Sequence, residues 1–207
     1  MRVRAVINTL LNRVGLRRMA SEPLADTPPR VMMYCASDVG LGHFSRLNRI
    51  ATALRARMSD MNILMVTDIL PSAPGDFDES FGVLRIPPYL HSKRHSGRAS
   101  GMTLPHHAIQ RMRIGLITEA LLHYKPHLWV MDTGGPHGKR NELEEPLRLM
   151  RARFPKSYSV MEMRDIPCPP EEYRDPKVAY DRRIRSGHQL YDFFLASGHP
   201  NLFDVCK

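Results

Sequence analysis

The sequence predicts a single Rossmann-like α/β domain, with a doubly wound parallel sheet and helices on both faces. Three observations predict it. Short apolar runs alternate with stretches whose apolar residues recur at helical spacing. The runs are almost continuously hydrophobic, as in strands covered on both faces. A glycine turn, Gly40-Leu-Gly42, joins the first run to the first helical stretch.

The elements follow in order. Val31–Ser37 reads as a buried strand, and a helix from about Phe44 to Met58 carries Leu47, Ile50, Ala51, Leu54 and Met58 on one face. Asn62–Thr67 is the second strand and Val83–Ile86 a short third, ended by Pro87 and Pro88. Leu104–Tyr124 is a long helix, with Pro105 in its first turn and Pro126 beyond its end. Leu128–Met131 is the fourth strand, ending in Asp132. Helix 142–153, strand 157–162, helix 176–189 and strand 192–196 complete the alternation.

Composition agrees with this class. The 207 residues are 43% hydrophobic and 25% charged, which excludes collagen, low-complexity disorder and a polytopic membrane protein. A chain of this length buries roughly 70% of its unfolded surface. Cys35, Cys168 and Cys206 are widely spaced and form no CxxC pair, so they predict neither a disulfide framework nor a zinc site. Cys35, inside an apolar run, reads as a small buried hydrophobe.

The net charge of +9 points to anionic partners and is unevenly placed. Residues 1–30 hold six arginines against Glu22 and Asp26, with Val3, Val6, Ile7, Leu10, Leu11 and Val14 at helical spacing. Residues 1–28 therefore read as a basic amphipathic tail and linker, and 29–207 as the domain. The tail fits a helix on an anionic membrane surface, a transit peptide, a helix packed on the domain, or residues upstream of the true start. From Ser80 to Thr118 there is no Asp or Glu, but there are Arg85, Lys93, Arg94, Arg98, Arg111 and Arg113. The middle of this stretch, about 88–103, reads as a long, mobile, basic loop, either a cradle for a phosphate-bearing or membrane-bound substrate or a solvated, disordered surface loop. No nucleic-acid motif accompanies the charge, and aromatics are only 7%, so no specific nucleic-acid partner is expected.

In an open parallel sheet, ligands bind at the carboxyl ends of the strands. Gly40-Leu-Gly-His43 lies at the first such end, where two glycines allow close backbone approach and a helix start offers free N–H groups. With Ser45 in the third position and Asp68 ending the second strand, the turn is a near match to a dinucleotide fingerprint, so a nicotinamide-binding domain is one reading. It leaves His43 unexplained. A helix dipole disfavours imidazolium, and the neutral ring is the form that accepts a proton. The alternative for His43 is a surface or capping role.

Gly40-Leu-Gly-His-Phe-Ser-Arg46, Ile50-Ala51 and Leu54-Arg55 resemble the first turn and helix of GT-B glycosyltransferases related to the bacterial cell-wall N-acetylglucosaminyltransferase. The resemblance continues through Asp132, Glu142-Leu143, Arg164-Asp165-Ile166, Tyr191-Asp192 and Gly198-His-Pro-Asn-Leu-Phe-Asp204, and so covers about residues 31–204. It implies the acceptor-side domain of a two-domain enzyme that moves a hexosyl group from a nucleotide sugar to an acceptor hydroxyl. His43 would be the general base, and Gly40, Gly42 and Ser45 would lie against the substrate. Asp132 would orient His43 or hold a sugar hydroxyl; it reads equally as a strand-end carboxylate or a helix cap. Arg164 and Asp165 would face the ligand or pair internally.

The sequence ends at Lys207, near where the linker to a donor-binding domain would begin. The expectation is half of an enzyme: a truncated gene, a remnant or one subunit of a split enzyme, inactive alone. In the known split type the acceptor subunit is membrane-anchored at its N-terminus. No cofactor or metal is expected beyond the nucleotide sugar as co-substrate. The acceptor would be phosphorylated or lipid-linked, and the location cytoplasmic or peripheral on the inner membrane face. A non-catalytic binding or scaffold subunit of the same fold remains the alternative.

Overall fold

The computed structural model describes residues 28–36, 42–69, 81–88, 104–132, 142–164 and 190–197, the last two segments without the side chains of residues 163, 164, 196 and 197. The expected tail 1–28, loop 88–103 and helix 176–189 fall wholly or almost wholly outside them. The described elements run β1 (Arg30–Cys35), α1 (Gly42–Arg55), β2 (Asn62–Thr67), β3 (Gly82–Arg85), α2 (His106–Tyr124), β4 (Leu128–Asp132), α3 (Glu144–Arg153), β5 (Tyr158–Arg164) and β6 (Phe193–Ser197).

The strands form one sheet in the order β3-β2-β1-β4-β5-β6, every described pair parallel. This confirms the doubly wound, Rossmann-like class. After β3 the chain crosses back over β1, and α2 leads it to β4 on the other side. The order therefore reverses between β1 and β4, and their carboxyl ends, Cys35 beside Asp132, mark the place where ligands bind in sheets of this kind.

Alternation along the strands divides the core into two layers. Val31, Met33 and Cys35 of β1, with Leu128 and Val130 of β4, pack under Phe44, Leu47, Ile50, Ala51 and Leu54 of α1. Met32, Tyr34, Trp129 and Met131 point the other way, against Ile117 and Leu121 of α2 and Leu147 and Met150 of α3. Each fully buried Leu, Ile or Met is worth about 1.5–3 kcal/mol. Leu54 and Leu47 are completely buried, so truncating either to Ala would cost about 2–5 kcal/mol.

Local signals set the helix ends. Pro105, extended at ψ 149°, precedes α2, and its carbonyl accepts from the Ala108 and Ile109 N–H groups. Lys125, at φ 49°, closes α2 in the left-handed conformation, donating its N–H to the Leu121 carbonyl at 3.0 Å. In α3, Glu144 and Glu145 lie in the first turn and Arg151 and Arg153 in the last, matching the helix dipole. At the far edge, Asp192 Oδ2 accepts from the Ser159 N–H (2.7 Å) and hydroxyl (2.8 Å), tying β6 to β5.

Several boundaries differ from the sequence expectation: α2 begins at His106 with Pro105 as its cap rather than at Leu104 with Pro105 inside its first turn, and α1 ends at Arg55 rather than Met58. The first helix begins at Gly42 rather than near Phe44, so His43 sits in its first turn. The fifth strand continues to Arg164 because its ladder with β6 continues to Ser197.

Candidate active site at the carboxyl edge of the sheet

Both faces of the sheet are apolar for most of their length and then end in ionic clusters at the carboxyl edge. On the α1 face, His43 and Arg46 lie three residues apart on one side of the helix. They meet Asp132, the last residue of β4, and Glu162 on the neighbouring β5. His43 Nδ1 is 3.0 Å from Asp132 Oδ1, and Arg46 Nη1 donates to Asp132 Oδ2 at 2.9 Å and to Glu162 Oε2 at 2.8 Å. The carboxylate side chains are at most 1% exposed, while His43 and Arg46 are 18% and 22% exposed at the rim.

This geometry has a chemical consequence. An ionised carboxylate only accepts hydrogen bonds, so the Asp132 contact puts a proton on His43 Nδ1. In a neutral ring the lone pair is then on Nε2, which makes no hydrogen bond among the described residues. A partly exposed histidine held in this way at the carboxyl edge of the sheet can take a proton from a hydroxyl placed against Nε2. Cys35, beside Asp132 in the sheet, is fully buried; burial first, then the Asp132 charge, pushes its thiol far above the ordinary range, so it stays uncharged.

On the opposite face, Arg113 of α2 is fully buried. Its Nε donates to Glu142 Oε2 at 2.6 Å and its Nη2 to Glu142 Oε1 at 2.7 Å, a bidentate pair. Nη1 donates to Asp68 Oδ2 at 2.9 Å and to the Pro87 carbonyl, while Nη2 reaches the Tyr34 hydroxyl at 3.2 Å. The Tyr34 hydroxyl in turn donates to Glu142. Burial first, and the neighbouring Glu142 carboxylate second, hold the Tyr34 phenol well above its ordinary range. One guanidinium thus joins the ends of β1 and β2, the segment after β3 and the start of α3.

Of the residues expected at the site, the structure brings His43 and Asp132 together. Gly42 is the first residue of α1, and a Cβ built there meets nothing within 4 Å among the described residues. Ser45 is exposed on α1 and makes no hydrogen bond to the pair. Gly40, Asp165 and the Arg164 side chain lie outside the described residues. Asp68, on which the nicotinamide reading drew, is 5% exposed and ion-paired to Arg113, so its carboxylate does not present itself to a ribose. Arg113, counted within the basic stretch, is not a surface phosphate ligand. Its place in the row Ile109, Arg113, Ile117, Leu121, a repeat of four on one helix face, signals burial. Sequence reasoning placed Arg46 only as part of a motif and missed Glu162, because their contact spans 116 residues.

Among the described residues, no group of three or more His, Cys, Asp and Glu could hold a metal ion, and no helix is long and apolar enough to cross a membrane.

No protein-family model matches the chain, and no curated protein sequence matches it. Solved structures do. The chain is similar to a MurG from Acinetobacter baumannii at 12% identity and a TM-score of 0.48, covering 83% of this chain and 42% of that one. It is similar to a UGT transferase from Siraitia grosvenorii in complex with UDP at 13% identity and a TM-score of 0.39, covering 65% and 28%. It is also similar to UGT2 of Phytolacca americana complexed with UDP-2-fluoro-glucose and pterostilbene, at 10% identity and a TM-score of 0.40, covering 68% and 31%. The matched part spans less than half the length of each of these structures.

Proposed function

We propose that this domain is the acceptor-side half of a nucleotide-sugar-dependent glycosyltransferase and that His43 is its general base. The observation that carries the reading is the His43–Asp132 pair at the point where the strand order reverses. The ordered motifs that resemble GT-B glycosyltransferases support it from the sequence side. The acceptor hydroxyl donates to His43 Nε2. As its oxygen attacks the anomeric carbon, the proton passes to Nε2 and the bond to the nucleoside diphosphate breaks. Asp132 holds the ring and stabilises the imidazolium that forms, the role an aspartate plays beside a catalytic histidine. Charge on the departing diphosphate must also be met, and that is usually the largest single catalytic contribution. A donor-binding domain supplies it in this reading, with the nucleotide sugar as co-substrate and a phosphorylated or lipid-linked sugar as acceptor.

The experiment is a binding and turnover pair on the purified chain. Sugar acceptors are expected to perturb the His43 imidazole signals, nucleotide sugars to bind weakly or not at all, and transfer to require an added donor-binding chain. Multiple turnover by the chain alone would refute the division into halves. If no acceptor binds and no donor chain restores transfer, the transferase reading is wrong.

A further inference from the structure

The proposed mechanism uses His43 and Asp132 but leaves Arg46 and Glu162 without a part, although both touch the same cluster. Arg46 lies on α1 one turn after His43, and its Nη1 bridges two carboxylates that come from adjacent strands. Both carboxylates are almost wholly buried. Two buried negative charges on neighbouring strands repel, and without a counter-charge one of them takes up a proton. A protonated Asp132 could no longer act as a pure acceptor for His43 Nδ1. The adjacent Cys35 thiol is kept neutral by burial and adds no charge. Arg46 is a cation that touches both carboxylates, through the single atom Nη1.

We infer that Arg46 is a positioning residue for the His43–Asp132 pair, with Glu162 as its anchor. By engaging Oδ2, Arg46 turns the other oxygen of Asp132 toward His43. Glu162 holds the guanidinium in place from β5. The result is one fixed tautomer of His43, with Nε2 free for the acceptor hydroxyl. The inference rests on the reading of His43 as the base, but the arrangement of its proton can be tested apart from any activity.

The test is a long-range proton–nitrogen correlation spectrum of the histidine-labelled full chain near neutral pH, without substrate. The wild type is expected to show His43 as one tautomer, protonated on Nδ1. Arg46→Met is expected to lose that signature, giving mixed tautomers or a doubly protonated ring. Arg46→Lys, which keeps a charge able to reach both carboxylates, is expected to restore it. If Arg46→Met does not fold, Arg46→Gln, which keeps a neutral amide NH2 without the charge, takes its place with the same outcomes. A folded Arg46→Met or Arg46→Gln that keeps the wild-type signature overturns the inference, as does a wild type protonated on Nε2 alone. The spectrum needs no sugar, so a failure to find transferase activity would refute the reading of His43 as the base while leaving this result standing.

Discussion

Replacing Arg113 with Met should destabilise the domain by about 3–5 kcal/mol, the usual cost of leaving a buried ion pair half-made. The structure explains why the cost is at the full scale. Arg113 has no solvent exposure, and the Asp68 and Glu142 side chains are 2% and 3% exposed. Methionine fills much of the aliphatic volume but offers no donor. Two buried carboxylates would then lose the Arg113 charge, and the Tyr34 hydroxyl and Pro87 carbonyl would each lose a donor. Domains of this kind are stable by only about 5–15 kcal/mol, so the variant would be marginal. Trp129 is the one tryptophan of the chain and is fully buried, so its fluorescence reports unfolding in urea directly. With a slope of about 2 kcal/mol per molar, the midpoint should fall by about 1.5–2.5 M. The control is Arg113→Met combined with Asp68→Asn and Glu142→Gln, which removes the stranded charges and should recover about half the loss or more. A midpoint shift below about 0.5 M in the single variant, or no recovery in the triple variant, would refute the argument that buried charge dominates this cluster.

Other outcomes can be checked separately. If His43 is the general base, His43→Ala should lower turnover with an added donor-binding chain by about 10²-fold or more while leaving the urea midpoint nearly unchanged, because the ring is partly exposed. His127 Nδ1 accepts the Arg30 backbone N–H at 3.0 Å, and burial first and the Arg30 charge second lower its pKa from the usual value. The folded state therefore favours the neutral ring. Stability from this site is complete above the unfolded value of about 6.5 and is lost as pH falls toward the lower folded value, so His127→Asn should flatten the thermal-melting profile on the acid side. Cys35 should resist thiol reagents in the native chain and react only on unfolding, read in a background with Cys168 and Cys206 replaced by Ser. A chain beginning at Pro29 should stay folded and lose binding to anionic vesicles, measured by co-sedimentation; equal binding by both forms would remove the membrane role of the tail.

Much of the architecture was legible because it rests on local physics. The buried strands read as unbroken apolar runs, the first helix as a stripe from Leu47 to Leu54, and the turn at Gly40-Leu-Gly42 marked a strand-to-helix junction where a ligand site belongs. His43 and Asp132 could each be named because each ends up beside a strand's carboxyl end, and that follows from chain order alone.

What joins them could not be read along the chain. The strand order 3-2-1-4-5-6 is set by pairing between segments far apart, and that pairing brings β4 against β1 and β5 against β4. Only then do His43, Arg46, Asp132 and Glu162 become one cluster, across separations of 86 to 116 residues. The same holds on the other face. Arg113 belongs by composition to a basic stretch, yet the fold turns it inward onto Asp68 and Glu142, 45 and 29 residues away. Sequence determines which residues carry charge and which element each one rides on, because propensity and periodicity act over a few residues. Tertiary structure decides whether a charge meets water, a ligand or an opposite charge, because Coulomb and desolvation energies depend on neighbours that only long-range pairing supplies.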